Sequence, residues 1–280
     1  MTLNTTQIPE SCLASVSHST VHNGDCLEIM KSIPDRSIDM ILCDLPYGTT
    51  ACKWDVIIPF EPMWNHYERI IKPNGAIVLT ASQPFTSVLA CSNLKMFKYE
   101  WIWEKTMASN FATANKIPMK YHENILVFYK KQPTYNPIRE KRSEIGLERL
   151  KNSGKILNST KGRTDHIDIK KPVYSEYDIN TILPKSVQKI NSEPNCNGTK
   201  LHPTQKPIAL MEYLIKTYTN EGETVLDNCA GSGTTGIACI NTNRKYILIE
   251  KEQKYFDIIN ERIDKYKQQR AGEFSFENQS

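Results

Sequence analysis

No apolar run in the chain approaches the eighteen or so residues that a membrane-spanning helix needs. The N-terminus lacks the basic-then-apolar layout of a secretion signal. These two absences predict a cytoplasmic protein that makes no membrane contact. The eight cysteines include no CxxC pair and no histidine at metal spacing, so neither a zinc site nor any other metal is expected. A disulfide framework is not expected in a chain of this size, and Cys43 and Cys229, in apolar strand-like contexts, read as small buried hydrophobes. The GxxxxGK[ST] phosphate cradle is missing, which disfavours a nucleoside triphosphatase. Internal repeats are missing too. A net charge of +4 is too mild to announce a polyanion partner by itself.

What the chain does have is an α/β rhythm. Its 280 residues, 39% hydrophobic and 24% charged, suit one large α/β domain or one domain with an insertion. Ile38 to Cys43 reads as a buried strand ending at Asp44, and Phe60 to Ile71 as a helix closed by the turn Lys72-Pro73-Asn74-Gly75. Ala76 to Thr80, Tyr99 to Trp103 and Asn124 to Tyr129 continue the strand series, with a helix from about Pro84. After residue 200 come a helix from Pro207 to Tyr218, a strand at 224–226, a helix from Thr234 to Asn241, a strand at 246–249 and a closing helix from about Gln253 to Lys267. Strands separated by helix-sized connections predict a twisted, mostly parallel seven-stranded sheet with helices on both faces. Residues 131–200 break the rhythm with five prolines in a Lys-, Asn- and Ser-rich stretch. That stretch carries fourteen Lys or Arg against eight Asp or Glu and leaves the rest of the chain slightly acidic. The expected organisation is therefore a first half at 1–130, an inserted basic segment at 131–200 and a second half at 201–280.

Two turns carry chemistry. Thr224 to Thr235 is a strand, a glycine turn and a helix start, in which Gly231 and Gly233 let a ligand approach the backbone. A strand ending in Glu250 follows seventeen residues after Gly233, where nucleotide-binding sheets bond ribose hydroxyls. Asp227 would repel a pyrophosphate, whereas S-adenosyl-L-methionine presents an amine and a sulfonium, so this half predicts the methyl donor. The second turn is Asp44-Leu45-Pro46-Tyr47, at a strand end and thus facing the cleft. An aromatic amine is a poor nucleophile because its lone pair is delocalised into the ring. Two acceptors aimed at its hydrogens, the Asp44 carboxylate and the Leu45 carbonyl, draw density back onto nitrogen. Tyr47 can stack on the base and Pro46 stiffens the turn. By itself, though, D-x-P-Y reads as an ordinary strand-end turn.

Taken with its neighbours, this turn resembles the D-P-P-Y signature of the permuted (beta-group) amino methyltransferases of DNA. Leu226 to Thr235 resembles their cofactor signature L-D-P-F-A-G-S-G-T-T, and Leu201 to Pro207 their H-P-T-Q-K-P signature at the methionine end of the cofactor. Asn23-Gly24-Asp25-Cys26 is similar to their strand end whose acid meets the cofactor adenine. The resemblance covers roughly residues 20–130 and 200–265 and implies a circularly permuted Rossmann-like methyltransferase fold with an inserted target-recognition region. It implies methyl transfer to N6 of a flipped-out adenine in double-stranded DNA, with N4 of cytosine as the alternative. An RNA or small-molecule methyltransferase and a DNA-binding relative without catalysis are the more distant readings.

The site residues so implied are Asp44, Leu45, Pro46 and Tyr47 for catalysis. For the cofactor they are Asp25, Asp44, His202, Thr204, Lys206, Asp227, Ala230, Gly231, Ser232, Gly233, Thr234 and Glu250. Leu45, Asn228 and Cys229 depart from the signatures, but a backbone acceptor at 45 survives the change. His202 is expected to be structural, because a methylated exocyclic amine can lose its proton to water. Lys206 is expected near the cofactor carboxylate or capping its helix. Trp54 and Asp55 are pocket-lining or packing candidates, and His122-Glu123 reads as a hydrogen-bonded structural pair. A restriction endonuclease counterpart and a homodimer are possible partners in such a system. Lys141, Arg142 and Arg163 are the expected DNA contacts. Neutralising all three should weaken duplex binding and flatten its log–log salt slope by about 0.9 per lost phosphate contact. Cofactor affinity should hold. Titrations at several salt concentrations test this, and an unaltered slope would place DNA elsewhere.

Overall fold

A strand covered on both faces needs apolar side chains at nearly every position, and Ile38–Asp44 is such a run, with alternate residues serving opposite faces. The computed structural model describes residues 19–50, 52, 55–152, 180–191 and 205–277. In chain order its elements begin with β1 (Thr20–Asn23), α1 (Cys26–Met30), β2 (Ile38–Asp44), α2 (Phe60–Ile70) and β3 (Ile71–Ala81). Next come α3 (Phe85–Ser92), β4 (Phe97–Glu104), β5 (His122–Phe128), β6 (Glu140–Lys141), α4 (Glu144–Asn152) and β7 (Thr181–Ile182). The series ends with β8 (Val187–Lys189), α5 (Ile208–Tyr218), β9 (Thr224–Asp227), α6 (Thr234–Asn241), β10 (Lys245–Glu250) and α7 (Gln253–Glu277).

The principal sheet has the order β1-β10-β9-β2-β3-β5-β4-β8, with β5 antiparallel to both of its neighbours. Among the described residues it has eight strands where the sequence predicts seven. The extra one, β8, lies parallel to β4 through the pairs Ile102–Val187 and Glu104–Lys189 and comes from the stretch read as insert. The first and last strands are neighbours: β1 pairs in parallel with β10, Asn23 against Glu250. This pairing is what a permuted chain requires, since the strand that ends the sequence precedes, in space, the one that starts it. The expected turn at 72–75 is instead the irregular start of β3. Its register shifts against β2 between Ile38 and Met40, and Gly75 lies where a Cβ would come within 2.7 Å of the Asp39 carbonyl oxygen.

Period two splits the core. Ile41, Cys43, Ile77, Leu79, Leu126 and Phe128 face one side, packed with Met30, Met63, Trp64 and Tyr67 of α1 and α2. Met40, Leu42, Val78, Ile125 and Val127 face the other, packed with Leu214 and Ile215 of α5, Ile237 of α6 and Ile259 of α7. Both faces are therefore dry, and functional groups are left to the strand ends.

The chain divides into two units, one within 1–136 and 186–280 and the other within 137–185. The break falls later than 131 because the Asn136 side chain donates to the Lys216 and Thr219 carbonyls at the end of α5, at 3.2 and 3.1 Å. It closes earlier than 200 because β8 joins the principal sheet. In the smaller unit β6 and β7 pair antiparallel, Glu140 with Ile182 and Lys141 with Thr181. Arg139 donates to the Thr181 hydroxyl at 2.7 Å and Arg142 to the Thr181 carbonyl at 3.0 Å, so these two cations also hold the ladder ends together. Lys141 is exposed. Among the described residues no helix is long and apolar enough to cross a membrane.

Fully buried Tyr67 ties α2 to the turn after β9: its hydroxyl donates to Asn228 Oδ1 at 2.6 Å. Tyr67→Phe should cost about 1–3 kcal/mol, because it leaves a buried acceptor unsatisfied. Urea unfolding at equilibrium checks this, and an unchanged midpoint would count against the bond.

Candidate active site

Four parallel neighbours, β1, β10, β9 and β2, run in one direction, so their carboxyl ends meet along one edge. The residues there are Asp25 just past β1, Glu250, Asp227 and Asp44. All four line a single cavity of about 890 Å³.

In one half of the cavity acids surround a glycine turn. Asp227 is buried, accepting from the Cys229 backbone N–H at 3.1 Å and the Thr235 hydroxyl at 2.6 Å. Burial pushes its carboxyl up to about 6. Glu250 accepts from the Gly231 and Glu252 backbone N–H groups, both at 2.8 Å, and burial raises its carboxyl as well. Asp25 caps α1 by accepting from Leu27 N at 2.9 Å and meets Lys251 at 3.2 Å. Gly231 and Gly233 have φ of 53° and 79°, which side-chain-bearing residues rarely adopt. Gly233 is not on the cavity wall: it starts α6 and packs against Ile259. A pocket walled by three carboxylates favours a ligand carrying positive charge and hydroxyl groups.

The other half is built around Asp44. Its Oδ1 accepts from the Tyr47 hydroxyl at 2.8 Å and from Thr80, and its Oδ2 from Lys206 Nζ at 2.7 Å. Burial and the neighbouring Asp44 charge hold the Tyr47 phenol well above its ordinary value, so it stays a donor. Its ring stacks on Phe85, centroids 5.2 Å apart. The Asp55 carboxylate collects the backbone N–H groups of Gly48, Thr49 and Thr50 at 2.7–2.9 Å and so clamps the loop that follows the motif. Burial opposes its charge, but these bonds outweigh it and keep the carboxyl below its usual value. Lys206, 6% exposed, bridges Asp44 and Glu123.

Of the residues expected from sequence, Asp25, Asp44, Leu45, Pro46, Tyr47, Lys206, Asp227, Ala230, Gly231, Ser232, Thr234 and Glu250 share this cavity. His202, Thr204, Trp54 and Arg163 lie outside the described residues. Lys141 and Arg142 belong to the smaller unit. Lys206, expected near the cofactor carboxylate or capping its helix, lines the cavity with its ammonium bonded to Asp44. Four groups were missed or undervalued by sequence reasoning: Thr80, Lys105, Glu123 and, as a loop clamp, Asp55. Thr80 and Glu123 stand at the ends of β3 and β5 beside Asp44, which strand order alone would reveal. Among the described residues no group of His, Cys, Asp and Glu is arranged to hold a metal ion.

The family model described as DNA methylase, for N6 and N4 amino groups, matches residues 38–261. The chain belongs to this DNA methylase family. It is 28% identical to the type II methyltransferase M.HpaI of Haemophilus parainfluenzae over 256 residues, covering 86% of this chain and 72% of that one. It is 30% identical to the DNA adenine methyltransferase YhdJ of Escherichia coli K12 over 266 residues, covering 88% and 82% respectively. The crystal structure of the M1.HpyAVI–SAM complex superposes with a TM-score of 0.56 at 25% identity, covering 87% of this chain and 98% of that one. Glu250→Ala removes the acceptor that holds the Gly231 N–H and faces the pocket. It should weaken S-adenosyl-L-methionine binding about tenfold or more, as expected for losing hydrogen bonds to a charged group. Calorimetry without DNA measures this, and parental affinity would move the cofactor pocket elsewhere.

Proposed function

We propose that the protein transfers a methyl group from S-adenosyl-L-methionine to the exocyclic N6 amino group of adenine flipped out of double-stranded DNA. One observation carries this reading: Asp44 and the acid-lined glycine turn open into the same cavity. The donor set fits the cofactor, since a ligand with an amine, ribose hydroxyls and a sulfonium matches pocket walls made by Asp25, Asp227 and Glu250. These residues, with Ala230 to Thr234, would hold it. When bound it supplies an electrophilic methyl group.

The chain's own residues do the rest. The Asp44 carboxylate, aimed by Tyr47 and Thr80, accepts one N–H of the target amine, and the Leu45 carbonyl accepts the other. Both acceptors raise electron density on nitrogen without removing a proton first. The proton leaves for water after transfer, so no side chain is needed as a strong base. The Tyr47 ring, braced by Phe85, offers the base a face. Unstacking the base costs a few kcal/mol, which contacts in the cavity and along the phosphates offset. The unit within 137–185 is the proposed target-recognition segment. Lys141, Arg142 and Arg163 are its proposed phosphate contacts, with Arg142 shared between that task and Thr181. Adenine is favoured because YhdJ, which aligns with 88% of this chain, is described as an adenine methyltransferase. The type II description of M.HpaI supports a restriction endonuclease counterpart.

Unmethylated genomic DNA incubated with the enzyme and tritiated cofactor, digested to nucleosides and weighed by mass spectrometry, should yield N6-methyldeoxyadenosine. N4-methyldeoxycytidine would transfer the reading to cytosine, and unmodified DNA would overturn it. Asp44→Ala should lower the rate about a hundredfold or more, as for other aimed transition-state groups. Turnover within tenfold of the parent would remove Asp44 from that role.

A further inference from the structure

Four charges alternate through the wall behind the catalytic turn: Asp44, Lys206, Glu123 and Lys105. Lys206 Nζ lies 2.7 Å from Asp44 Oδ2 and 3.2 Å from Glu123 Oε2, and Lys105 Nζ lies 2.5 Å from Glu123 Oε1. Lys206 and Lys105 are 6% and 9% exposed and Glu123 13%, so water screens these charges little. The two contacts of Lys206 are not equivalent. To Asp44 it makes an aligned hydrogen bond, whereas Glu123 Oε2 is buried and, among the described residues, accepts no aligned hydrogen bond. Lys206 also stands 5.5 Å above the centre of the Tyr47 ring. An N–H donor directed at Asp44 Oδ2 beside the Tyr47 ring is the arrangement required of a target amine. The lysine ammonium occupies it.

We propose that Lys206 guards the acceptor carboxylate and that Glu123 is the positioning residue that takes the lysine away. When the target amine reaches Asp44 Oδ2, Lys206 passes its hydrogen bond to the open Glu123 Oε2. In the exchange Lys206 trades one carboxylate for another and Lys105 stays on Oε1, while Asp44 takes the amine N–H in place of the ammonium and keeps its Tyr47 and Thr80 donors. Burial pushes the Glu123 carboxyl up, and the Lys206 and Lys105 cations more than reverse this, so it remains an anion ready to receive the lysine. Burial likewise opposes the Lys206 charge, but the Asp44 and Glu123 carboxylates hold the ammonium well above its ordinary value, so it moves as a cation. A neutral residue at 123 would leave Lys206 on Asp44 and the amine shut out.

This inference rests on the reading of Asp44 as the amine acceptor, and the experiment separates the two. Single-turnover methylation of unmethylated genomic DNA is measured with the full chain at saturating tritiated cofactor, and cofactor affinity by calorimetry. Glu123→Gln should slow methyl transfer by about tenfold or more while cofactor affinity stays within about threefold. In a Lys206→Gln background the same change should have less than about a twofold effect, because Glu123 acts only through the lysine. The double variant should therefore outpace Glu123→Gln. This comparison also serves if Glu123→Gln alone fails to fold, since the double variant removes one buried cation together with the anion. A parental rate for Glu123→Gln overturns the proposal. So does a tenfold further loss in the Lys206→Gln background, or a Lys206→Gln rate as low as that of Asp44→Ala. If instead Asp44→Ala itself stays active, the reading of the acceptor fails and not merely the role of Glu123.

Discussion

A carboxylate that must accept hydrogen bonds from a weak amine has to be charged, aimed and partly withdrawn from water, and these demands conflict. Burial favours the protonated acid, which would accept poorly. Asp44, in its proposed role as that acceptor, holds three donors on two oxygens, one of them the Lys206 ammonium. The lysine in turn needs Glu123, and Glu123 needs Lys105. Lys206 and Lys105 are buried, Asp44 and Glu123 partly so, and each charge has an opposite one beside it. Removing one member of such a row strands another in low dielectric, typically at a cost of about 3–5 kcal/mol.

The same economy explains where the chemistry sits. With both sheet faces closed by helices, polar groups are affordable only where strands end. The parallel run β1-β10-β9-β2 brings four acids to one edge, and the permuted chain order does not disturb this, since the edge is defined by strand neighbours and not by sequence. Two departures from the family signature also find their reasons there. Asn228, in place of proline, receives the Tyr67 hydroxyl and ties the turn to α2. Cys229, in place of phenylalanine, packs on the core beneath the turn on the same face as Cys43, where a smaller side chain suffices.

The fold was legible to a large extent because its signals are local. The apolar run of β2, the helix of Thr234–Asn241 and the glycine turn before it are written in consecutive residues, and they form where the pattern places them. The edges of the inserted unit were less legible. Nothing local in residues 187–189 says that they will find β4 and become an eighth strand, and nothing in Asn136 says that it will fasten to α5. Short edge strands and single side-chain anchors derive their stability from partners far away in the chain.

The site divides along the same line. Asp44 to Tyr47, Asp227 to Thr234 and Glu250 could be named from sequence because each sits in a turn whose residue types have a chemical reason to be together. Glu123 and Lys105 stand in no such turn, Lys206 reads from sequence only as a cofactor contact, and their side chains are the kind that ordinarily decorate a surface. Only the tertiary structure, by placing β3 and β5 beside β2 and burying the space between, makes their charges interact strongly enough to matter. The sequence by itself determined which backbone turns could hold a cofactor and an amine. Strand order and burial decided which distant charges meet at Asp44, because electrostatic coupling depends on separation and dielectric, and neither is written in the order of residues.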